Sequence, residues 1–115
     1  MLSNENRFHG PNSLRYVYRN GQTVHSHVCK IKYTKNQKRD TPRFAIVVSK
    51  KVHKSAVGRN LIRRRFYEVL REYLPHIAPD TDIVIIIVSG EALTLSYNEI
   101  QTTLRQLLVE ANLYE

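Results

Sequence analysis

Cysteine occurs once in 115 residues, at Cys29, so no disulfide can close within the chain and a reducing compartment fits. No apolar run exceeds the six residues 83–88, far short of the ~20 needed to cross a bilayer. The opening residues, Met1 to Glu5, lack the basic start and apolar stretch of a secretory signal. These absences predict a cytoplasmic protein with no membrane partner. There is no internal repeat, no low-complexity tract, no glycine-rich phosphate loop and no nucleophile elbow. Acids are missing where bases are dense. Residues 1–71 hold 17 of the 18 Lys and Arg against Glu5, Asp40 and Glu68 alone, a net +14. A protein-borne two-metal nuclease needs clustered carboxylates, which that half cannot supply.

What is present is a single-domain length, with residues 1–115 expected to share one core. The net charge is +8 on 13.5 kDa, with a pI near 9.9. Residues 72–115 reverse the sign, with Arg105 against seven acids and a net −6. Segregation of this kind predicts one strongly positive face and a polyanionic partner.

Along the chain, residues 1–11 read as an extended arm closed by Gly10-Pro11. A short helix is predicted over 13–20, capped by Asn12 or Ser13, with Gly21 as a left-handed stop and Leu14, Val17 and Tyr18 as its apolar side. Residues 24–34 alternate as one strand, with Cys29, Ile31 and Tyr33 on one face and Val28, Lys30 and Lys32 on the other. The polar stretch 34–41 is a connection, 43–49 a more buried strand, and 50–55 a basic loop. A long helix then runs from Val57 or Gly58 to Leu74 and stops before Pro75. Ile62, Phe66, Val69, Leu70 and Tyr73 line one side of it, and Asn60, Arg63, Arg64, Tyr67 and Arg71 the other. The apolar run 83–88 is an interior strand. Ser96-Tyr97-Asn98-Glu99 has the capping-box pattern ahead of a stripe of Ile100, Leu104, Leu107, Leu108 and Ala111. Helix, strand, strand, helix, strand, helix is the order of an α+β two-layer sandwich.

Between Lys50 and Arg71 stand eight basic residues, Lys50, Lys51, Lys54, Arg59, Arg63, Arg64, Arg65 and Arg71, against the one acid Glu68. Solvated helix faces usually interleave Glu with Lys at i, i+4, and this one does not. Guanidinium forks pair bidentately with phosphate oxygens, which suits a nucleic-acid backbone.

The run Ser49-Lys50-Lys51-Val52-His53-Lys54-Ser55-Ala56-Val57-Gly58-Arg59-Asn60-Leu61-Ile62-Arg63-Arg64 resembles the signature of the bacterial ribonuclease P protein subunit. That family shows a Lys-Lys strand end, a short basic loop and an Arg-Asn-Arg opening to the helix. Leu14, Tyr18 and Gly21 fit its first helix, and the later strand and capped helix come in its order. Leu61 stands where the family's triplet ends in arginine, Tyr67 where an arginine is frequent, and Leu14 where an aromatic is usual.

The resemblance implies a ribosomal-protein-like fold with a left-handed β-α-β crossover. It implies the non-catalytic subunit of a ribonucleoprotein endoribonuclease, whose RNA removes the 5′ leader of precursor tRNA with Mg²⁺ held mainly by that RNA. The catalytic RNA would meet Lys50, Lys51, His53, Lys54, Arg59, Asn60, Arg63 and Arg64. Leu14, Tyr18, Ile31 and Tyr33 would line a leader cleft between the first helix and the sheet, where a base stacked on an aromatic ring gains ~1–3 kcal/mol whatever its sequence.

His25, His27 and Cys29 at alternate positions of a strand suggest zinc, but no fourth ligand completes the set and no protein-bound metal is expected. His53 has no carboxylate near it in sequence to orient it as a general base. A ribosomal or other structural RNA-binding protein of similar fold is the alternative function. A DNA-binding regulator would need a helix-turn-helix partner before Gly58, where strand and loop are predicted, so no DNA partner is expected.

Overall fold

A computed structural model of the chain describes residues 6–8, 11–36 and 40–115. Most of the arm expected over 1–11, and the middle of the 34–41 connection, lie outside them.

Helix α1 spans Pro11–Asn20. Proline suits a first helical position, where its φ is preset and its missing N–H has no partner to lose. Asn12 and Ser13 therefore lie inside the first turn rather than capping it. The helix closes with the Gly21 amide on the Val17 carbonyl at 2.8 Å. Gly21 does not adopt the left-handed conformation expected of it. Glycine is required by proximity instead, since a Cβ there would stand 2.5 Å from the Val17 oxygen.

The single strand expected over 24–34 is a hairpin. β1, Gln22–His25, pairs antiparallel with β2, Cys29–Lys35, with Val24 opposite Ile31. Ser26 makes the turn, its amide donating to the Cys29 carbonyl (2.8 Å) and its Oγ accepting the Cys29 N–H (3.1 Å). Val28 was expected on the solvated face but is buried in this turn, where its carbonyl accepts the Val88 amide at 2.8 Å. β3, Arg43–Val47, lies parallel to β4, Thr81–Ile87, and the sheet order is β1-β2-β4-β3. Central β4 explains its own composition, being buried at every position except half-buried Ile86. Arg7 bridges to Phe44 along β3, and Asn6 Nδ2 donates to the Pro42 carbonyl at 2.9 Å.

Residues paired across strands share a face. Cys29 and Ile31 of β2, Phe44 and Ile46 of β3, and Ile83, Ile85 and Ile87 of β4 form the main core. The helices packed on it are α2, Ala56–Tyr73, and α3, Tyr97–Glu110. From α2 come Ile62, Phe66, Val69 and Leu70, with Tyr73, the last of the predicted stripe, half-buried against the core, and from α3 come Ile100, Leu104, Leu107 and Leu108. Helix α2 joins the parallel neighbours β3 and β4, a pairing that requires a crossover rather than a tight turn. It begins one residue before its predicted start, with Ser55 as cap. Helix α3 carries the predicted capping box, with Glu99 N–H on Ser96 Oγ at 3.2 Å and Ser96 N–H on Glu99 Oε1 at 2.9 Å.

Helix α1 lies across the other face of the sheet. Val17 and Val84 are fully buried outside the main core, and Lys32 Nζ donates to the Tyr18 carbonyl at 3.5 Å. The same face holds a buried ion pair at one end. Arg43 Nε and Nη2 donate to Asp82 Oδ1 and Oδ2 at 2.8 and 2.6 Å, Asn36 Nδ2 donates to Asp82 Oδ2 at 3.0 Å, and the Phe8 ring lies 4.9 Å from the guanidinium.

Candidate nucleic-acid interface

The basic loop leads directly into the basic helix. The chain leaves β3, turns at residues 49–53 and enters α2 behind the Ser55 cap, whose Oγ accepts the Gly58 N–H at 3.4 Å. Lys50, Lys51, Lys54, Asn60 and Arg64 are exposed, and His53, Arg59 and Arg63 are half-buried. Among the described residues none of the cations Lys50, Lys51, Lys54, Arg59, Arg63 and Arg64 is held in an ion pair. The salt bridges there join His27 to Glu91, Lys35 to Asp80 and Arg43 to Asp82. Arg63 Nη2 donates to Asn60 Oδ1 one turn back, and Arg59 Nη1 donates to the carbonyls of His53 and Lys54. Arg65 is turned elsewhere, with Nη1 on the Leu93 carbonyl at 2.6 Å.

The departures from the family pattern have structural places. Tyr67 is half-buried and meets the backbone of Ile46, so it ties α2 to β3. Its hydroxyl pKa is pushed up by burial, with the Ile46 backbone and Arg63 working against that. Leu61 is half-buried on the helix flank.

The four residues expected to line a second site do not all meet. Leu14 and Tyr18 lie on α1, half-buried and 38% exposed respectively, and desolvation raises the Tyr18 pKa. Ile31 has no exposed surface and belongs to the core under α2 and α3, so it offers no ring or base a contact. Tyr33 follows it by two residues and therefore shares that face. Tyr33 packs against the core and donates its hydroxyl to Gln22 Oε1 at 3.0 Å. The β2 side chains on the α1 face are those between, Lys30 and Lys32, paired across the sheet with Ile86 and Val84. They were legible in the alternation as the solvated side. What the alternation could not say was that α1 folds over that side.

The would-be zinc set is dispersed. His25 pairs with Lys30 and so shares its face, whereas Cys29 lies fully buried on the other. His27 stands in the turn between them with Nε2 3.6 Å from Glu91 Oε2. Burial pushes the Cys29 thiol up to about 11, against a smaller lowering by Ser26.

A family model described as Ribonuclease P matches residues 2–112. The ribonuclease P protein component of Microcystis aeruginosa is 39% identical over 100 residues, which are 84% of this chain and 82% of that protein. That of Carboxydothermus hydrogenoformans is 38% identical over 95 residues, 82% and 78% of the two chains. Among solved structures, the Staphylococcus aureus RNase P protein superimposes with a TM-score of 0.84 at 27% identity, covering 96% of this chain and 98% of that one.

Proposed function

The chain belongs to the ribonuclease P protein family, and from that membership we propose that its basic loop and helix grip the catalytic RNA while α1 and β2 take the precursor-tRNA leader. As a protein component of ribonuclease P it is the non-catalytic subunit of a ribonucleoprotein endoribonuclease, and its partner is the RNA of that enzyme. The observation that carries the proposal is the cationic run on the loop and outer side of α2, without an ion-pair partner among the described residues, back to back with the stripe that fills the core. Packing and charge do not compete there, so the surface is free to track phosphates. Lys50, Lys51, His53, Lys54, Arg59, Asn60, Arg63 and Arg64 are the proposed contacts with the catalytic RNA.

Leu14 and Tyr18 are the proposed leader contacts on α1. Lys30 and Lys32 replace Ile31 and Tyr33 as the strand's contribution, a ring for stacking beside ammonium groups for phosphate. The crossover through α2 is proposed to be left-handed, as in the family. The Mg²⁺ of cleavage is proposed to sit mainly on the RNA. Among the described residues no group of three or more His, Cys, Asp or Glu is placed to hold a cation, and no step is assigned to a protein-bound ion. No helix among them is long and apolar enough to cross a membrane, and a cytoplasmic site of action is part of the proposal.

Reconstitution tests it. The protein mixed with the catalytic RNA and Mg²⁺ is expected to raise the rate of leader removal from precursor tRNA, and the protein without RNA to leave precursor tRNA intact. Cleavage by rigorously RNA-free protein contradicts the proposal.

A further inference from the structure

Behind its exposed lysines the turn before α2 is braced from within. The amides of Val52 and His53 both donate to the Ser49 carbonyl, at 3.1 and 3.3 Å, which leaves Lys50 and Lys51 exposed at the apex. Arg59 reaches back from the first turn of the helix, and its Nη1 donates to the carbonyls of His53 (3.0 Å) and Lys54 (2.8 Å). The His53 ring rests on Gly58, and its Nδ1 accepts the Ser55 N–H at 3.1 Å. A Cβ at residue 58 would stand 2.3 Å from that ring.

Both braces are costly or unusual for a helix start unless the turn itself matters. A cation in the first turn opposes the helix macrodipole, and α2 has no acid there to balance Arg59. The two carbonyls it holds supply the opposite partial charge. Glycine within a helix is unfavourable relative to alanine, yet here only glycine leaves room for the ring. Arg59 is half-buried with donors already engaged, whereas Arg64 is exposed on the same helix.

We propose that Arg59 and the His53–Gly58 packing are positioning elements, which fix the turn so that Lys50, Lys51 and Lys54 meet the catalytic RNA already arranged. Arg59 then acts on the RNA through the turn in addition to the contact its own charge makes. The inference rests on the proposed RNA interface. Its physical basis is preorganisation, since a turn ordered before binding does not lose that freedom on binding.

The test is a pair of double-mutant cycles on the full-length protein, reading affinity for the catalytic RNA. Arg59→Lys keeps the charge but loses the two-carbonyl grip. Affinity should fall about tenfold with an unchanged slope of log affinity against log salt, because the same phosphates remain neutralised. In a Lys50→Ala/Lys51→Ala/Lys54→Ala background the same change should cost less than about twofold, since the groups it positions are gone. Gly58→Ala should also weaken binding about tenfold while the thermal midpoint holds or rises, and should cost nothing further once His53→Ala has made room. Equal losses in both backgrounds, or full affinity for Arg59→Lys, would overturn the inference and leave the interface standing. If the triple-lysine variant binds like wild type, the interface itself is wrong and the inference falls with it.

Discussion

Tyr18 and Tyr33 are both partly accessible aromatics at the first hairpin, and they lie on opposite faces of the sheet. Tyr18 lies on α1 above Lys32, whereas Tyr33 packs on the core and bonds to Gln22. Tyr18→Ala should therefore lower holoenzyme affinity for precursor tRNA by ~1–3 kcal/mol while affinity for mature tRNA, which lacks the leader, barely moves. Tyr33→Ala should lower the unfolding free energy and leave the ratio of the two affinities at its wild-type value. A ratio that responds to Tyr33 and not to Tyr18 would reverse the assignment. Cys29 supplies a pH prediction. Its folded-state pKa of about 11 lies above its ordinary 9.0 because burial disfavours the thiolate. The stabilisation is full below pH 9 and is lost as pH rises through 11. The stability advantage of wild type over Cys29→Ala should narrow across that window by on the order of 2 kcal/mol, measured by urea unfolding, and a constant difference would show that the thiol does not titrate there.

Helix ends separate what was legible from what was not. The capping box of α3 and the apolar stripes of α2 and α3 could be read from spacing, because an N-cap and a 3.6-residue period are local properties. The hairpin inside 24–34 could not. Its turn contains no glycine or proline and is made by the Ser26 hydroxyl, so period-2 alternation runs across it with nothing to mark the break. Placing Ile31 and Tyr33 on the α1 side of the sheet failed for a related reason. Alternation sorts residues into two faces, but which face receives α1 is decided by tertiary packing of Val17 near β2 and β4. The far end of α3 shows a further device. Asn112 takes φ 60°, with its amide on the Val109 carbonyl (3.0 Å) and the Leu113 amide on the Leu108 carbonyl (2.9 Å). That is a Schellman ending in which asparagine fills the position glycine usually holds. Asn112→Ala should cost about 1 kcal/mol, because alanine tolerates left-handed backbone poorly, and Asn112→Gly should not. Equal losses in thermal unfolding would show that the side chain, not the backbone, matters there.

At the scale of the molecule, charge is segregated by sequence and again by structure. The cations of residues 50–64 project from a loop and one helix flank, while acids of the second half are drawn into local contacts. Glu72 accepts from Tyr97 and Gln101, Glu91 meets His27, and Glu99 caps α3. The cations of the proposed RNA surface thus have no ion-pair partner among the described residues. The polyanion partner could be inferred from composition, and the family from the motif at 49–64. The bracing of the turn by Arg59 and His53 could not, since nothing in a run of basic residues says which one faces inward. The most direct test of the central claim is the salt dependence of binding to the catalytic RNA for wild type, Lys50→Ala/Lys54→Ala/Arg64→Ala and Arg105→Ala. The triple variant should bind more weakly, with a slope of log affinity against log salt shallower by roughly 0.7–0.9 for each phosphate no longer neutralised, while Arg105→Ala, on the acidic half, should match wild type. A triple variant with the wild-type slope would contradict the account, because those side chains would then not be neutralising phosphates.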